Sequence, residues 1–206
     1  MSFRVERVTH HDELFFDYLR VRYQVYCLER GFEDPLQHPG GIETDKYDVH
    51  AVHLAAVEEG TGQVVGCARI ILHDPDQRNF KFPLEEHFAL DSPLKSIDRD
   101  CIGEVSRLAV TKSHCQEFQI VSKLLDHLFL ESGRLELTHW YAAMAKGLPV
   151  LLRRRKLNFF KAGPDAEFHG TRAPYTLDLE RMAVGSTHFA YYQPAGEERV
   201  AATATA

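Results

Sequence analysis

The segment 100–110, DCIGEVSRLAV, reads as a strand with apolar residues on both faces, yet it carries Glu104 and Arg107. A carboxylate and a guanidinium are rarely buried without a partner or a task. Side chains three apart on a regular strand point to opposite faces. If both serve one site, a β-bulge must lie between or beside them, re-aiming one side chain and freeing backbone N–H groups. Such N–H groups suit a thioester carbonyl and the oxyanion it becomes. The structural alternative is that each is paired with a charge from a neighbouring element.

Other charged residues raise the same question. Glu43, Asp45 and Asp48 precede Arg69. The acids could hold a cationic amine or simply form a solvated loop, and Arg69 could hold a carboxylate or one of the acids. Arg22 falls inside an apolar helical stripe, where it either snorkels to the edge or reaches inward to the acids. Arg153, Arg154, Arg155 and Lys156 end a short helical segment. Cations there offset the helix dipole, and they also form a local basic patch suited to an acidic partner. His50, His53, His114, His139 and His169 are possible bases without a Ser or Cys partner motif. The small run AAMA after Trp140 is either packing or room for an acyl chain.

The elements that must position these residues follow from periodicity. Residues 3–8 alternate as a strand, and Thr9 to Asp12 has the spacing of a capping box for a helix running to about Leu28. Residues 31–48 read as a long loop, the type of segment that often carries function. Residues 49–58 and 63–72 form a hairpin, followed by a short helical piece near 83–89 and the strand 100–110. An amphipathic helix from Gln116 to about Ser132 places Phe118, Val121, Leu124, Leu125, Leu128 and Phe129 on one face. Residues 137–145 read as a strand, 148–157 as a helix, and 158–163 and 171–179 as strands. This order predicts a mixed sheet with helices packed on it, an α/β or α+β fold.

Composition narrows the classes. The chain has 206 residues, 44% of them hydrophobic, enough for one domain with a well-covered core. A net charge of −6 argues against general nucleic-acid binding. Cys27, Cys67, Cys101 and Cys115 have neither metal-ligand nor disulfide-framework spacing, and the acidic loop lacks the pattern of a calcium site, so no metal is expected. The N-terminus has no apolar h-region and no stretch is long enough for a membrane span, so a cytoplasmic location is expected.

Arg22-(x3)-Tyr26, Phe32, Glu43-x-Asp45-x-x-Asp48, Gly66-x-x-Arg69 and Glu104-x-Ser106-Arg107 occur in a characteristic order. In this the sequence resembles bacterial acyl-homoserine-lactone (autoinducer) synthases. RYQVYCLERGFEDP, IETDKYDVHAVHLAA, IGEVSRLAV and EFHGTRAPYTLDL are more closely similar to acyltransferases associated with PEP-CTERM/exosortase systems, over about residues 10–180. N-acyl amino acid synthases share the architecture.

Residues 185–206, ending in EERVAATATA, lack core periodicity and read as a flexible tail, and the resemblance implies a GNAT-type fold over residues 1–184. Its mixed, twisted central sheet is flanked by helices, and the EVSRLAV and THWYAAMA strands splay into a V that admits a pantetheine arm. It implies a fatty acyl thioester of acyl carrier protein, or of coenzyme A, as donor, and no tightly bound cofactor. Glu104 would be the base, with Arg107 and Arg69 completing the catalytic group. Arg22, Tyr26, Phe32, Asp45 and Asp48 would form the acceptor side. Ser106, Trp140 and the backbone of Leu108 and Val110 would align the donor, and Arg153, Arg154, Arg155 and Lys156 would dock acyl carrier protein.

Two departures refine this expectation. Tyr26 and Phe32 stand where autoinducer synthases usually carry Phe and Trp, which weakens the case for S-adenosylmethionine as acceptor. The segment TKSHCQEFQ lacks the RxxGxG-type loop that cradles a coenzyme A pyrophosphate, which favours the carrier protein. The expected activity is transfer of the acyl group to the amine of an amino acid or similar small molecule. An S-adenosylmethionine-using lactone synthase and a non-catalytic carrier- or lipid-binding regulator are the rival expectations.

Overall fold

The computed structural model describes residues 1–91, 94, 96–116 and 118–183. The tail expected at 185–206 lies outside them. Strands β1 (Phe3–Val8), β2 (Ala51–Glu58), β3 (Val64–Leu72) and β4 (Ile102–Val110) form a consecutive antiparallel series. Helix α3 (Phe118–Arg134) then crosses over to β5 (His139–Ala145), which pairs parallel to β4. β8 (Thr171–Asp178) lies antiparallel to β5, and the short β6 (Phe160–Lys161) and β7 (Ala166–Glu167) pair with β8. The sheet order is β1-β2-β3-β4-β5-β8-β6, with β7 also on β8. The mixed sheet with flanking helices is as the element order implies.

β2 and β3 read as almost unbroken apolar runs because both their faces are covered. Leu54, Ala56, Ala68 and Ile70 meet Leu124, Leu125, Leu128 and Phe129 of α3. On the opposite face Ala55, Val57 and Cys67 meet Tyr18, Leu19 and Val25 from α1 (Glu13–Tyr23) and the turn after it. Beside them Ile71, Ile102 and Tyr141 meet Leu84 from α2 (Pro83–His87) together with Phe82 and Phe88. Gly103 is pinched between these layers: a Cβ there would sit 2.7 Å from Ile70 and 2.8 Å from Leu137.

Several local readings are corrected. The Thr9 hydroxyl does not cap a helix N–H; both it and the Thr9 amide donate to the Asp12 carboxylate, and α1 starts only at Glu13. α1 ends at Tyr23, and Gln24–Glu29 continue as a π-helical turn. Helix α4 (Leu148–Arg153) is shorter than the expected 148–157. The Leu157 amide donates to the Leu152 carbonyl, the Lys156 amide donates to the Arg153 carbonyl, and Lys156 adopts φ 62°, which closes the helix as a Schellman-type turn. Phe118 leaves the α3 core stripe and is 70% exposed, whereas Ile120 is fully buried. Among the described residues no helix is long and apolar enough to cross a membrane.

Candidate active site

The split in the sheet makes the site. β4 pairs with β5 only through Ile102–His139, Gly103–Trp140 and Glu104–Tyr141, although both strands run on. Past Glu104 the strands part, and β4 keeps its β3 partner on one edge while its other edge opens. A cavity of about 560 Å³ fills the gap, lined by Val105, Ser106 and Leu108 from β4 and by Trp140, Ala142, Ala143 and Met144 from β5. The V-shaped opening implied by the resemblance is thus present.

A bulge re-aims Arg107. Cys67 pairs with Ala109 and Arg69 with Ser106, so Arg107 and Leu108 together oppose Ala68. Arg107 has φ 51°, a left-handed conformation costing a side-chain-bearing residue about 1–2 kcal/mol. The Cys67 thiol, 3.1 Å away, donates to the Arg107 carbonyl and supports the distortion. The result places Arg107 in the same cavity wall as Glu104, Ser106 and Arg69.

The acidic loop is consumed by arginines. Arg107 donates to Glu43 at 2.9 and 3.2 Å, to Glu33 at 3.1 Å and to Asp45 at 3.4 Å, with its guanidinium 4.9 Å from the Tyr26 ring centre. Arg69 grips Asp45 with two nitrogens at 2.7 and 2.8 Å, bonds Asp48 at 2.6 Å and donates to the Ser106 hydroxyl at 3.0 Å. Arg22 reaches inward, to Glu43 at 2.5 Å and Asp48 at 2.6 Å. Arg22 and Glu43 are both 0% exposed, which excludes the solvated-loop reading for Glu43 and the snorkelling one for Arg22. Burial by itself would raise the Glu43 carboxyl, but the charges of Arg22 and Arg107 hold it down to about 2.

His53 braces this network from behind. Its Nε2 lies 3.0 Å from the Asp48 carbonyl and its Nδ1 3.1 Å from the Tyr18 hydroxyl. Burial lowers its pKa to about 4, so it is neutral. The carbonyl only accepts, so Nε2 carries the proton and Nδ1 accepts from Tyr18. This occupies His53 structurally and removes it from the possible bases. Of the five histidines singled out in the sequence, His169 alone lines the cavity.

Glu104 has a different setting. It is 3% exposed, and its Oε2 accepts from the Leu84 amide at 2.9 Å. Burial pushes its pKa up to about 8, because that one hydrogen bond and the charge of Arg69 do not offset lost hydration. A carboxyl poised near neutral pH beside an open cavity can both take and return a proton.

The sequence-predicted residues divide clearly. Glu104, Arg107, Arg69, Tyr26, Asp45, Ser106, Leu108 and Trp140 line the cavity. Arg22 and Asp48 stand behind its wall as supports, and Val110 lies beyond it opposite Gly66. Phe32 touches its rim through Arg172 and His169, with guanidinium and ring centres at 4.8 and 5.7 Å. Trp140 is fully buried and donates to the Ser132 hydroxyl at 2.7 Å, fixing the indole against the cavity. Arg153, Arg154 and Lys156 are exposed, and Arg155 lies 3.7 Å over the Phe118 ring. Their helix contributes Leu148 and Leu152 to the cavity. Sequence reasoning missed His87, Phe168 and Arg172. The single available signal was a polar face on 171–178 alternating with Ala173, Tyr175 and Leu177. Among the described residues no His, Cys, Asp and Glu side chains cluster as a metal site requires.

The acetyltransferase (GNAT) domain pattern matches residues 21–126, just over half the chain, and the chain belongs to that family. Within it, the chain is similar to an acyl-homoserine-lactone synthase of Vibrio anguillarum, 32% identical over 111 residues. That match spans 54% of each protein, so the chain covers about half the length of this relative. A CoA-dependent acyl-homoserine lactone synthase, BjaI, solved with SAM and isopentyl-CoA, shares the fold at TM-score 0.68 and 19% identity, over 90% of this chain and 92% of that one. FeeM, an N-acyl amino acid synthase from uncultured soil microbes, superposes at TM-score 0.61 with 10% identity, over 92% and 98% of the two chains.

Proposed function

We propose that this protein is an N-acyltransferase that moves a fatty acyl group from an acyl carrier protein thioester, or acyl-CoA, to the amine of an amino acid or similar small molecule. The observation that carries this reading is the cavity where β4 and β5 part, with a buried carboxyl of raised pKa on one wall and an open strand edge beside it. The thioester carbonyl would lie along β4 near Leu108, its oxyanion met by backbone N–H groups at the bulge. Glu104 takes a proton from the attacking amine, the new C–N bond forms, the C–S bond breaks, and Glu104 returns the proton to the leaving thiolate. Arg69 and Arg107 hold the wall in place through their carboxylates, and Arg22 and Asp48 position that wall. Transfer is direct. Burial raises Cys67 to about 12, and Cys27, also raised, lies outside the cavity lining, so neither suits a covalent nucleophile.

The chain is also similar to acyltransferases of PEP-CTERM/exosortase systems in motifs that run through this same wall, a likeness that names no acceptor. The amino-acid reading draws instead on Tyr26 and Phe32, which stand where autoinducer synthases usually carry Phe and Trp. The cytoplasm, where thiols stay reduced, is the compartment that fits the four free cysteines. The second reading, a synthase taking S-adenosylmethionine, is favoured by the identity to the Vibrio anguillarum protein. One experiment separates the two. Acyl carrier protein loaded with C8 to C16 acyl groups is offered with the twenty amino acids or with S-adenosylmethionine, and thiol release and product mass are followed. Amino-acid-dependent thiol release with an amide product is expected. A lactone formed from S-adenosylmethionine alone selects the second reading, and carrier binding without turnover rejects both.

A further inference from the structure

Of the arginines lining the cavity, Arg69 and Arg107 are neutralised by carboxylates. Arg172 is not: among the described residues it has no ion pair, and its Nε is buried without a hydrogen-bond partner. Its guanidinium lies 4.8 Å from the Phe32 ring centre, and Arg30 approaches the same ring at 6.0 Å. Arg107 adds a further repulsive charge. A half-buried cation of this kind, left with an open fork toward a cavity, is a receptor for a planar anion.

Strand register decides which substrate brings that anion. Arg172 is opposite Ala145, and two-residue steps lead through Pro174–Ala143 and Thr176–Tyr141 to Glu104, which is opposite Tyr141. Opposed residues share a face, so Arg172 and Glu104 lie on the same side of the sheet. Trp140, Ala142 and Met144 project to the other side, where Leu125, Leu152 and Phe159 complete an apolar wall. The basic run Arg153 to Lys156 joins that apolar side, since Arg155 lies over Phe118 at the start of α3. The cavity therefore passes through the split sheet, with an apolar half on the α3 side and a polar half on the acidic-loop side. The acyl donor belongs to the first, and the anion at Arg172 to what enters the second.

We infer that Arg172 binds the carboxylate of the acceptor, so that the preferred acceptor carries a carboxylate as well as the amine presented to Glu104. His169, whose Nε2 lies 3.7 Å from Glu33, flanks this subsite. The assignment rests on the acyl-transfer reading and adds a specificity-determining residue to it.

The test compares wild type, Arg172→Gln and Arg172→Lys with the best amino-acid acceptor, its carboxamide and its decarboxylated amine. Acyl carrier protein thioesters and phosphate-free S-acyl-pantetheine serve as donors. Arg172→Gln should lower kcat/KM for the amino acid about 10- to 100-fold, mainly through KM, as expected for loss of a charge-assisted pair. Arg172→Lys should recover part of the loss. Turnover of the decarboxylated amine should be unchanged, and thermal unfolding of the Lys variant serves as the folding control. Equal losses for amino acid and amine overturn the assignment, as does a wild type indifferent to the carboxylate. A loss that disappears with S-acyl-pantetheine assigns Arg172 to the donor's phosphate instead. Absence of acceptor-dependent thiol release from wild type overturns the acyl-transfer reading itself.

Discussion

At the scale of the residue, Glu104 and Glu43 show how one residue type acquires opposite properties from its partners. Both are buried, but Glu43 has two arginines in contact and is held near pKa 2, whereas Glu104 has one amide and is raised to about 8. If Glu104 is the base, kcat/KM should rise with pH and level off above about 8, and Glu104→Gln should lower it at least about 100-fold. A pH–rate profile checks this, and a Gln variant with full activity removes Glu104 from the chemistry. Stability gives a second readout. A carboxyl whose pKa is raised on folding contributes stability that is full below the unfolded value near 4.5 and lost as pH passes the folded value near 8. The Gln variant cannot ionise, so in urea unfolding it should lose less stability than wild type between pH 6 and pH 9. Glu104 and Arg107 were legible as sequence because a charge inside an apolar run demands an explanation, whereas the loop acids stood in a polar loop that could equally have been solvated. Arg172 gave no such signal, since it sits at a strand end where a charged residue is ordinary.

At the scale of the element, the bulge in β4 converts a strand into a wall that presents both Glu104 and Arg107 to one cavity. Its need could be read in advance, because Glu104 and Arg107 cannot share a face of a regular strand. The residue that absorbs it could not, since nothing in the spacing says that Arg107 takes the left-handed conformation. That conformation yields a paired comparison. Arg107→Gly and Arg107→Ala both remove the guanidinium and leave Glu43 with Arg22, but glycine adopts φ 51° without a Cβ clash. The Gly variant should therefore be more stable than the Ala variant by about 1 kcal/mol, reversing their usual order within a strand. Denaturant unfolding of the two proteins measures the difference, and an Ala variant equal to or better than Gly would mean that the bulge relaxes away. The π-helical turn after α1 stayed hidden for a related reason. Val25 and Tyr26 continue the apolar stripe, so periodicity runs smoothly through a change in hydrogen bonding. The Lys156 cap on α4 was equally silent because no glycine marks it.

At the scale of the whole molecule, a mixed sheet with flanking helices and the β2–β3 hairpin followed from the order of the elements, but the full strand order and the depth of the split between β4 and β5 did not. The split depends on pairing that stops at Glu104–Tyr141 although both strands continue, a property of two distant segments together. The charge distribution carries a similar lesson. The chain has a net charge of −6, yet Arg153, Arg154 and Lys156 stand exposed after a helix whose Leu148 and Leu152 line the apolar half of the cavity. An acidic carrier docked there would present its pantetheine arm at the mouth that leads to the acyl wall. Replacing these three by Ala should raise KM for acyl carrier protein thioesters about tenfold and flatten its dependence on salt, because exposed charges act mainly through screened, long-range attraction. Arg155 is kept in that variant, since its stack on Phe118 gives it a packing role as well. Turnover of S-acyl-pantetheine, which has no carrier surface to dock, should be untouched. If both donors suffer alike, the basic run supports the fold of α4 and the carrier must approach from elsewhere.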